Sequence, residues 1–222
     1  MKPRIVPLGD SAVLVQMGNE IDFKINQLVH ALSQLIEASS INGIIETVPA
    51  YATLLVHYDP LTLSFTQIKN YLRSKINQVE ETSHRTPRLI EVPVRYGGEY
   101  GIDLESVASH LQLNIVDVIR IHSEKIYTVY MMGFTPGYPY MGKLDDILIM
   151  PRLETPRTRV HAGTVAIAGS QTGIYSIESP GGWNLIGWTP LELFNLESES
   201  PFLFSPGDEV KFVIEGETVP QV

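Results

Sequence analysis

Basic side chains are concentrated in one stretch of an otherwise acidic chain of 222 residues, whose formal net charge is −9. Between Lys143 and His161 four cationic side chains face three carboxylates, so this window alone carries a net positive charge. Guanidinium forks match the geometry of carboxylate and phosphate groups. The pattern predicts a small-anion site formed by Arg152, Arg157 and Arg159. The alternative interpretation is that these arginines pair with surface carboxylates.

The segment before these arginines is a near match to a phosphate-binding loop. Gly137, Gly142 and Lys143 have the required spacing, but Leu144 replaces the Ser or Thr whose hydroxyl holds magnesium. Prolines within the stretch also lack the backbone N–H groups with which such a loop cradles phosphate. We therefore interpret the match as accidental and predict a rigid loop. Its loop-forming residues are Gly133, Phe134, Pro136 and Gly137, and Tyr138 and Tyr140 add aromatic surface.

A second segment rich in glycine follows the arginines. Gln171 and Thr172 lie between glycines, where polar groups can approach a ligand closely, and we predict that both bind the substrate. Trp183 is predicted to wall the site together with Tyr140. The alternatives are a tight barrel turn for the glycines and a core position for the tryptophan. The loop-forming residues predicted here are Gly163, Gly169, Gly173, Pro180, Gly181 and Gly182.

Other catalytic chemistry is scarce in the sequence. The chain has no Cys, its six His are scattered without metal-ligand spacing, and no G-x-S-x-G elbow is present, so we predict no metal and identify no catalytic residue. A lone His161 is more often structural or exposed than catalytic. The acidic charge disfavours nucleic acid as a partner. The chain has no apolar run that suggests a signal or a membrane span, so a cytoplasmic protein is expected.

Alternating strand and helix patterns occupy the first part of the chain. Two strand pairs, within residues 4–17 and 43–59, are each followed by a segment with apolar residues at helical spacing. Thr62 is a candidate cap for the second helix. We predict an α+β sandwich domain at residues 1–86. The predicted buried stripes are Ile25, Leu28, Val29, Leu32, Leu35 and Ile36 in the first helix, and Phe65, Ile68, Leu72, Ile76 and Val79 in the second.

The polar stretch Glu80–Arg88 is the predicted linker, and it is followed by a second domain at residues 87–222. Asp103 and Asn114 are predicted to cap two short helices in this domain. Beyond Lys125 the pattern changes to short β-rich runs separated by many Gly and Pro residues. This pattern is typical of a barrel or sandwich, and it predicts a mainly-β domain.

The two glycine-rich segments, Gly133 to Pro190, strongly resemble the signature of the family that contains KipI and the B subunit of 5-oxoprolinase, also called allophanate hydrolase subunit 1. Supporting stretches are "LGDSAVLVQMG", "GIIETVPAYATLLVHYDP", "VPVRYGGEYGIDLESVA" and "FSPGDEVKFV", which follow in the expected order over nearly the whole chain. The resemblance implies an α+β N-terminal sandwich and a cyclophilin-like β-barrel. Similar domains occur in urea carboxylase.

The resemblance also implies a function. Most bacterial members are similar to the B subunit of an ATP-dependent 5-oxoprolinase, which acts with a homologous C subunit and an A subunit to open a small acidic lactam to glutamate. ATP is expected at the level of the complex. The alternatives are an inhibitor of a sensor histidine kinase, as in KipI, and a subunit of a related urea or allophanate amidolyase.

Two positions depart from the family pattern. His161 stands where relatives usually have the proline of V-P-A-G, and Ser176 stands where they often have the proline of G-x-Y-P. Two lost prolines predict less constrained loops, and His161 adds a titratable group beside Arg159. We expect these changes to be neutral for the site.

Overall fold

A computed structural model of the chain describes residues 3–79 and 87–215. The chain divides into two compact units, 1–86 and 87–222. The predicted linker falls mostly on residues 80–86, which lie outside the described residues. No helix in the described ranges is long and apolar enough to cross a membrane.

The first unit is a four-stranded antiparallel sheet with two helices. Its elements are β1 (Arg4–Pro7), β2 (Ala12–Gln16), α1 (Phe23–Ala38), β3 (Ile44–Pro49), β4 (Thr53–Tyr58) and α2 (Phe65–Val79). The strand order is β1-β2-β4-β3. The two predicted strand pairs and two helices are therefore confirmed. Both helices bury apolar side chains against the sheet residues Val13, Val15, Leu54 and Val56.

Both helices bury the stripe that their 3.6-residue period predicts. Val29, Leu32 and Ile36 of α1 are buried, and the other predicted positions of this helix are half-buried. In α2 the buried residues are Ile68, Leu72, Ile76 and Val79, and Phe65 packs at the edge of the cluster. Removing such stripes from water is the main source of stability for amphipathic helices.

The predicted cap of α2 is wrong. The Thr62 hydroxyl donates to Asp59 at 2.6 Å, so it does not cap the helix. Ser64 and Gln67 form a reciprocal capping box instead: the Gln67 side chain accepts from the Ser64 N–H at 2.9 Å, and the Gln67 N–H approaches the Ser64 hydroxyl at 3.4 Å. The helix consequently begins three residues later than Thr62.

The second unit is a closed barrel of seven strands with two helices and a separate two-stranded ribbon. Its elements are β5 (Leu89–Tyr96), α3 (Leu104–Leu111), α4 (Ile115–Glu124), β6 (Ile126–Met132), β7 (Pro139–Gly142), β8 (Arg157–Val160), β9 (Thr164–Ala168), β10 (Gln171–Ile174), β11 (Ser179–Gly181), β12 (Asn184–Trp188) and β13 (Glu209–Ile214). The barrel order is β10-β7-β6-β13-β5-β12-β9, and β11 pairs with β8 outside it. The mainly-β domain that the pattern predicts is confirmed, and of the barrel and the sandwich it is the barrel, as the resemblance implies.

The helix caps of the second unit differ from each other. Asn114 caps α4 as predicted, because its side chain accepts from the Asp117 N–H at 2.7 Å. Asp103 occupies the cap position of α3, but its carboxylate makes no capping hydrogen bond to the helix. That carboxylate instead accepts from the Leu185 N–H at 2.7 Å and from Arg157 at 2.6 Å. Asp103 therefore ties the start of α3 to the barrel.

A fully buried histidine fixes α4 to the barrel wall. The Tyr96 hydroxyl lies 2.8 Å from His122 Nδ1, and the Thr172 hydroxyl lies 2.9 Å from His122 Nε2. The Thr172 hydroxyl donates its only hydrogen to the Ala166 carbonyl at 3.2 Å, so it accepts from His122 Nε2–H. Nδ1 then accepts from the Tyr96 hydroxyl, and the imidazole is neutral. Burial lowers the pKa of His122 to about 3.

We expect His122 to make the barrel less stable in mild acid. The unfolded chain protonates this side chain near its ordinary pKa of 6.5, whereas the folded barrel does not do so until about pH 3. The unfolded state therefore binds more protons throughout that window, and the free energy of unfolding falls as the pH decreases. Between pH 7 and pH 5 the expected loss is about 2 kcal/mol.

Urea unfolding of the wild type and of His122→Gln at pH 7 and pH 5 measures this loss. The variant should be less stable at pH 7 and should lose about 2 kcal/mol less on acidification. The control is His110→Gln, which changes an exposed histidine on α3 and should behave as the wild type does. Equal pH dependence of the wild type and His122→Gln would contradict the assignment.

Candidate functional site

Five aromatic rings and one arginine surround a cavity of about 280 Å³ in the second unit. We call it the aromatic cavity; its defining residues are Phe134, Tyr138, Tyr140, Arg152, Tyr175 and Trp183. The rest of the lining consists of Leu153, Pro156, Pro180, Gly181 and Gly182. The volume lies near the lower end of the range for ligand pockets, roughly 300–1,000 Å³, so the cavity suits a small ligand.

The rings pack against one another mostly edge to face. Tyr138 lies at the centre, with ring centroids 4.8 Å from Tyr140, 5.3 Å from Tyr175 and 6.0 Å from Trp183. Tyr138, Tyr175 and Trp183 are almost completely buried, so the cavity floor is fixed by packing. A rigid, largely apolar floor favours a flat ligand, because ring faces supply contact area without ordering flexible side chains.

Two tyrosine hydroxyls of the cavity stay protonated at neutral pH. Burial raises the pKa of Tyr140, and the nearby Arg152 opposes this only in part. Burial also raises the pKa of Tyr175, and a hydrogen bond that the Trp183 backbone donates to its oxygen opposes this in part. Neutral phenols can donate hydrogen bonds to a ligand oxygen.

Glycines in the neighbouring strands make room for two of these rings. A Cβ atom at Gly173 would lie 2.5 Å from the Tyr138 hydroxyl, and one at Gly181 would lie 2.1 Å from the Tyr175 hydroxyl. The prediction that Gly173, Pro180 and Gly181 form loops is wrong, because they lie in β10 and β11. These two glycines are needed for the close approach of a ring.

The predicted rigid loop contains a strained residue at the cavity. Phe134 has a φ of 67°, a conformation that bulky side chains rarely adopt, and it is 59% exposed. Its ring lies 5.6 Å from Tyr138 and 6.4 Å from Tyr175. Gly137 in the same loop has a φ of 78°, which the turn requires. Such strain is concentrated at ligand sites, so the loop is a candidate part of the site.

Arg152 is the charged side chain of the aromatic cavity. Its guanidinium carbon lies 6.0 Å from the centroid of the Trp183 ring, within the range of a cation–π contact. The loop that carries it is tied down on both sides. The Pro151 carbonyl accepts from Asn184 Nδ2 at 2.8 Å, and the Leu153 N–H donates to the Gly182 carbonyl at 2.8 Å.

The structure does not bring the three predicted arginines together at one cavity. Arg157 donates to Asp103 at 2.6 Å and reaches the Trp183 carbonyl at 3.5 Å, and its side chain is only 26% exposed. Arg159 pairs at 2.7 Å with Glu178, whose carboxylate also lies 3.3 Å from His161 Nδ1. The alternative of pairing with carboxylates therefore describes Arg157 and Arg159. Sequence proximity could not reveal these partners, because Asp103 is distant in the chain.

The predicted polar contacts are placed elsewhere in the barrel. Thr172 is fully buried and already engaged with His122 and Ala166, and Gln171 begins strand β10 opposite Gly142. Their predicted role in binding the substrate stays a prediction. Residues 139–142 form strand β7, whose neighbours are β6 and β10, so the near match to a phosphate loop is not a phosphate cradle.

The two departures from the family pattern have different surroundings. Ser176 is buried and donates to the Pro136 carbonyl at 2.6 Å, so it bridges the loop that carries Phe134 to the end of β10. A proline could not make this contact. The His161 side chain is 72% exposed beside Glu178 and does not line the aromatic cavity. Gly163 nearby has a φ of 82°, and a Cβ atom there would lie 2.3 Å from the Thr189 carbonyl oxygen.

Comparison with known proteins identifies the family. Residues 3–204 match the family described as "Carboxyltransferase domain, subdomain C and D". The chain is 43% identical over 220 residues to the B subunit of 5-oxoprolinase from Bacillus subtilis, with 95% of this chain and 92% of that protein covered. It belongs to this carboxyltransferase-domain family. The resemblance to the family that contains the 5-oxoprolinase B subunit is thereby confirmed.

Other relatives differ in length: one is covered almost completely by this chain, and others are much longer. The corresponding protein of Haemophilus influenzae is 39% identical over 218 residues, with 96% of this chain and 98% of that protein covered. The crystal structure of TTHA0988 superposes with a TM-score of 0.81 at 37% identity, covering 95% of this chain but 40% of that chain. Urea amidolyase of Saccharomyces cerevisiae is 25% identical over 96% of this chain, which spans 13% of that protein. The carboxyltransferase family thus includes both free chains and parts of longer ones.

Proposed function

We propose that this chain is the B subunit of an ATP-dependent 5-oxoprolinase, which opens 5-oxoproline to glutamate together with an A subunit and a homologous C subunit. The observation that carries the proposal is the identity of 43% to a 5-oxoprolinase B subunit over 95% of this chain. We further propose a cyclophilin-like barrel and a cytoplasmic location. ATP belongs to the complex in this proposal and is assigned to no residue of this chain.

The aromatic cavity supports the proposal because 5-oxoproline is a small flat ring with one carboxylate. We place the ring against Trp183 and Tyr140, and the carboxylate on the guanidinium of Arg152. The hydroxyls of Tyr140 and Tyr175, whose raised pKa values keep them protonated, are the proposed donors to the lactam oxygen. These side chains bind and orient the lactam in a site that the C subunit completes.

The direct test is reconstitution. The purified chain is combined with its A and C subunits, and glutamate formation is followed with 5-oxoproline and ATP. We expect glutamate only when all three subunits and ATP are present. Glutamate formation that is equal without this chain would overturn the proposal.

The same assay tests the role of Arg152. Arg152→Met keeps an unbranched apolar stem of similar bulk but removes the cation, so the KM for 5-oxoproline should rise by about tenfold with kcat nearly unchanged. The control is Arg73→Met, which removes an exposed arginine on α2 in the first unit. An unchanged KM in Arg152→Met would remove Arg152 from the proposed site.

One alternative has a specific observation in its favour. The match to urea amidolyase of Saccharomyces cerevisiae makes a related urea or allophanate amidolyase the second candidate. Urea and allophanate offered to the same complex in place of 5-oxoproline distinguish the two.

The kinase-inhibitor alternative predicts that the isolated chain lowers autophosphorylation of a sensor histidine kinase, and that the complex forms no glutamate.

A further inference from the structure

Asn184 connects three segments of the barrel at the edge of the aromatic cavity. Asn184 is 3% exposed, and its Nδ2 donates to the Pro151 carbonyl at 2.8 Å and to the Ile167 carbonyl at 3.2 Å. Both hydrogens of the amide are therefore used. One carbonyl belongs to the loop before Arg152 and the other to β9, so a single amide joins that loop to the barrel wall.

These contacts fix the place of Arg152 relative to Trp183. Asn184 and Gly182 are the two neighbours of Trp183 in the chain, and Pro151 and Leu153 are the two neighbours of Arg152. Asn184 binds the Pro151 carbonyl, and Gly182 accepts from the Leu153 N–H. Each hydrogen bond thus joins a neighbour of Arg152 to a neighbour of Trp183. One lies on each side of the contact between the guanidinium and the indole ring.

We propose that Asn184 is a positioning residue that holds the Arg152 guanidinium over the Trp183 ring for ligand binding. The identity of the ligand rests on the proposed function, whereas the geometry does not. Loss of the amide donor removes the contact at Pro151, whereas the pairing of Met150 with Gly169 and the hydrogen bond from Leu153 remain. The backbone between Met150 and Leu153 is then less constrained, and the guanidinium spends less time where a carboxylate would meet it.

Asn184→Asp is the sharpest substitution, because the side chain keeps its size but loses its donors and turns a carboxylate toward two carbonyl oxygens. Asn184→Ala removes the donors without adding charge, and it serves if the aspartate variant does not fold. The control is Asn195→Asp, because the Asn195 amide donates to Glu192 and is not among the residues that line the cavity. Thermal unfolding of each variant tests whether the barrel is intact.

A double-mutant cycle with Arg152→Met in the reconstituted complex separates positioning from a merely structural role. Asn184→Ala alone should raise the KM for 5-oxoproline by about tenfold, as Arg152→Met does, with kcat within about twofold. The double variant should have the KM of Arg152→Met alone, because a misplaced arginine and an absent one are equivalent. Effects that multiply to about a hundredfold would overturn the proposal.

Tryptophan fluorescence keeps the test independent of the proposed function. Trp183 and Trp188 are the two tryptophans, so a Trp188→Phe background isolates the emission of Trp183. In this background Arg152→Met and Asn184→Ala should change the emission and its quenching by acrylamide in the same direction, without adding in the double variant. If the complex forms no glutamate but this pattern is seen, the proposed function fails and the positioning role stands. Unaltered emission in Asn184→Ala overturns the positioning role.

Discussion

Gly181→Ala is expected to abolish ligand binding at the aromatic cavity, whereas Gly182→Ala one residue later is expected to be tolerated. A Cβ atom at Gly181 would lie 2.1 Å from the Tyr175 hydroxyl and 2.6 Å from its Cζ atom. The Tyr175 ring is 2% exposed and packed against Tyr138, so it cannot turn away without displacing the cavity floor. Forcing an extra methyl group into such packing destabilises a protein by about 1–3 kcal/mol.

The neighbouring glycine provides the matched control. A Cβ atom at Gly182 would meet Pro156 at 3.5 Å, which is an ordinary van der Waals contact. Neither glycine is among those with positive φ, so the two substitutions differ in steric contact rather than in backbone strain. In Gly181→Ala we expect the KM of the complex for 5-oxoproline to rise at least about a hundredfold, because the displaced ring fills the cavity. In Gly182→Ala the same KM should change less than about threefold. Equal kinetics of the two variants would show that Tyr175 does not shape the site.

Sequence patterns predicted those elements whose signal is local. The buried stripes of α1 and α2 follow from the spacing of their apolar residues, and Asn114 caps α4 as its position predicts. Closure of the barrel depends on β13 pairing in parallel with β5, from Glu209 opposite Leu89 onward. No local period encodes a pairing between strands so distant in sequence, so only the β-rich character of the domain was predictable.

In the candidate site, too, sequence patterns predicted the residues with a local signal and missed those whose role depends on distant partners. Tyr140 and Trp183 were predicted from aromatic residues beside Gly and Pro, and both line the cavity with Arg152. Tyr175 and Asn184 were missed, because Tyr175 lies in one of the short β-rich runs after Lys125 and an asparagine has no signature of its own. Their roles depend on what lies opposite: Gly181 for Tyr175, and the Pro151 carbonyl for Asn184. The sequence feature that could have identified the tyrosines of the cavity is the glycine near each of them in the two glycine-rich segments.

Arg157→Met is expected to destabilise the barrel far more than Arg159→Met does, although the two arginines are two residues apart. Asp103 has 11% of its side chain exposed, and it accepts from Arg157 at 2.6 Å and from the Leu185 N–H at 2.7 Å. Removing Arg157 leaves this carboxylate nearly buried and without its cation. Breaking a buried ion pair in this way destabilises a protein by about 3–5 kcal/mol, and partial exposure of Arg157 reduces the expected loss to about 2–3 kcal/mol.

Urea unfolding of the two variants at pH 7 measures the difference. Arg159 and Glu178 are 65% and 48% exposed, so solvent screens their pair, and Arg159→Met should change the stability by less than about 1 kcal/mol. The same measurement tests the prediction that Arg157 binds the substrate. If Arg157 holds Asp103, its removal lowers the stability of the protein without ligand. If Arg157 instead binds the ligand, its removal leaves the stability of the free protein unchanged and abolishes the stabilisation by 5-oxoproline. The second pattern would assign Arg157 to the site and contradict its role as the partner of Asp103.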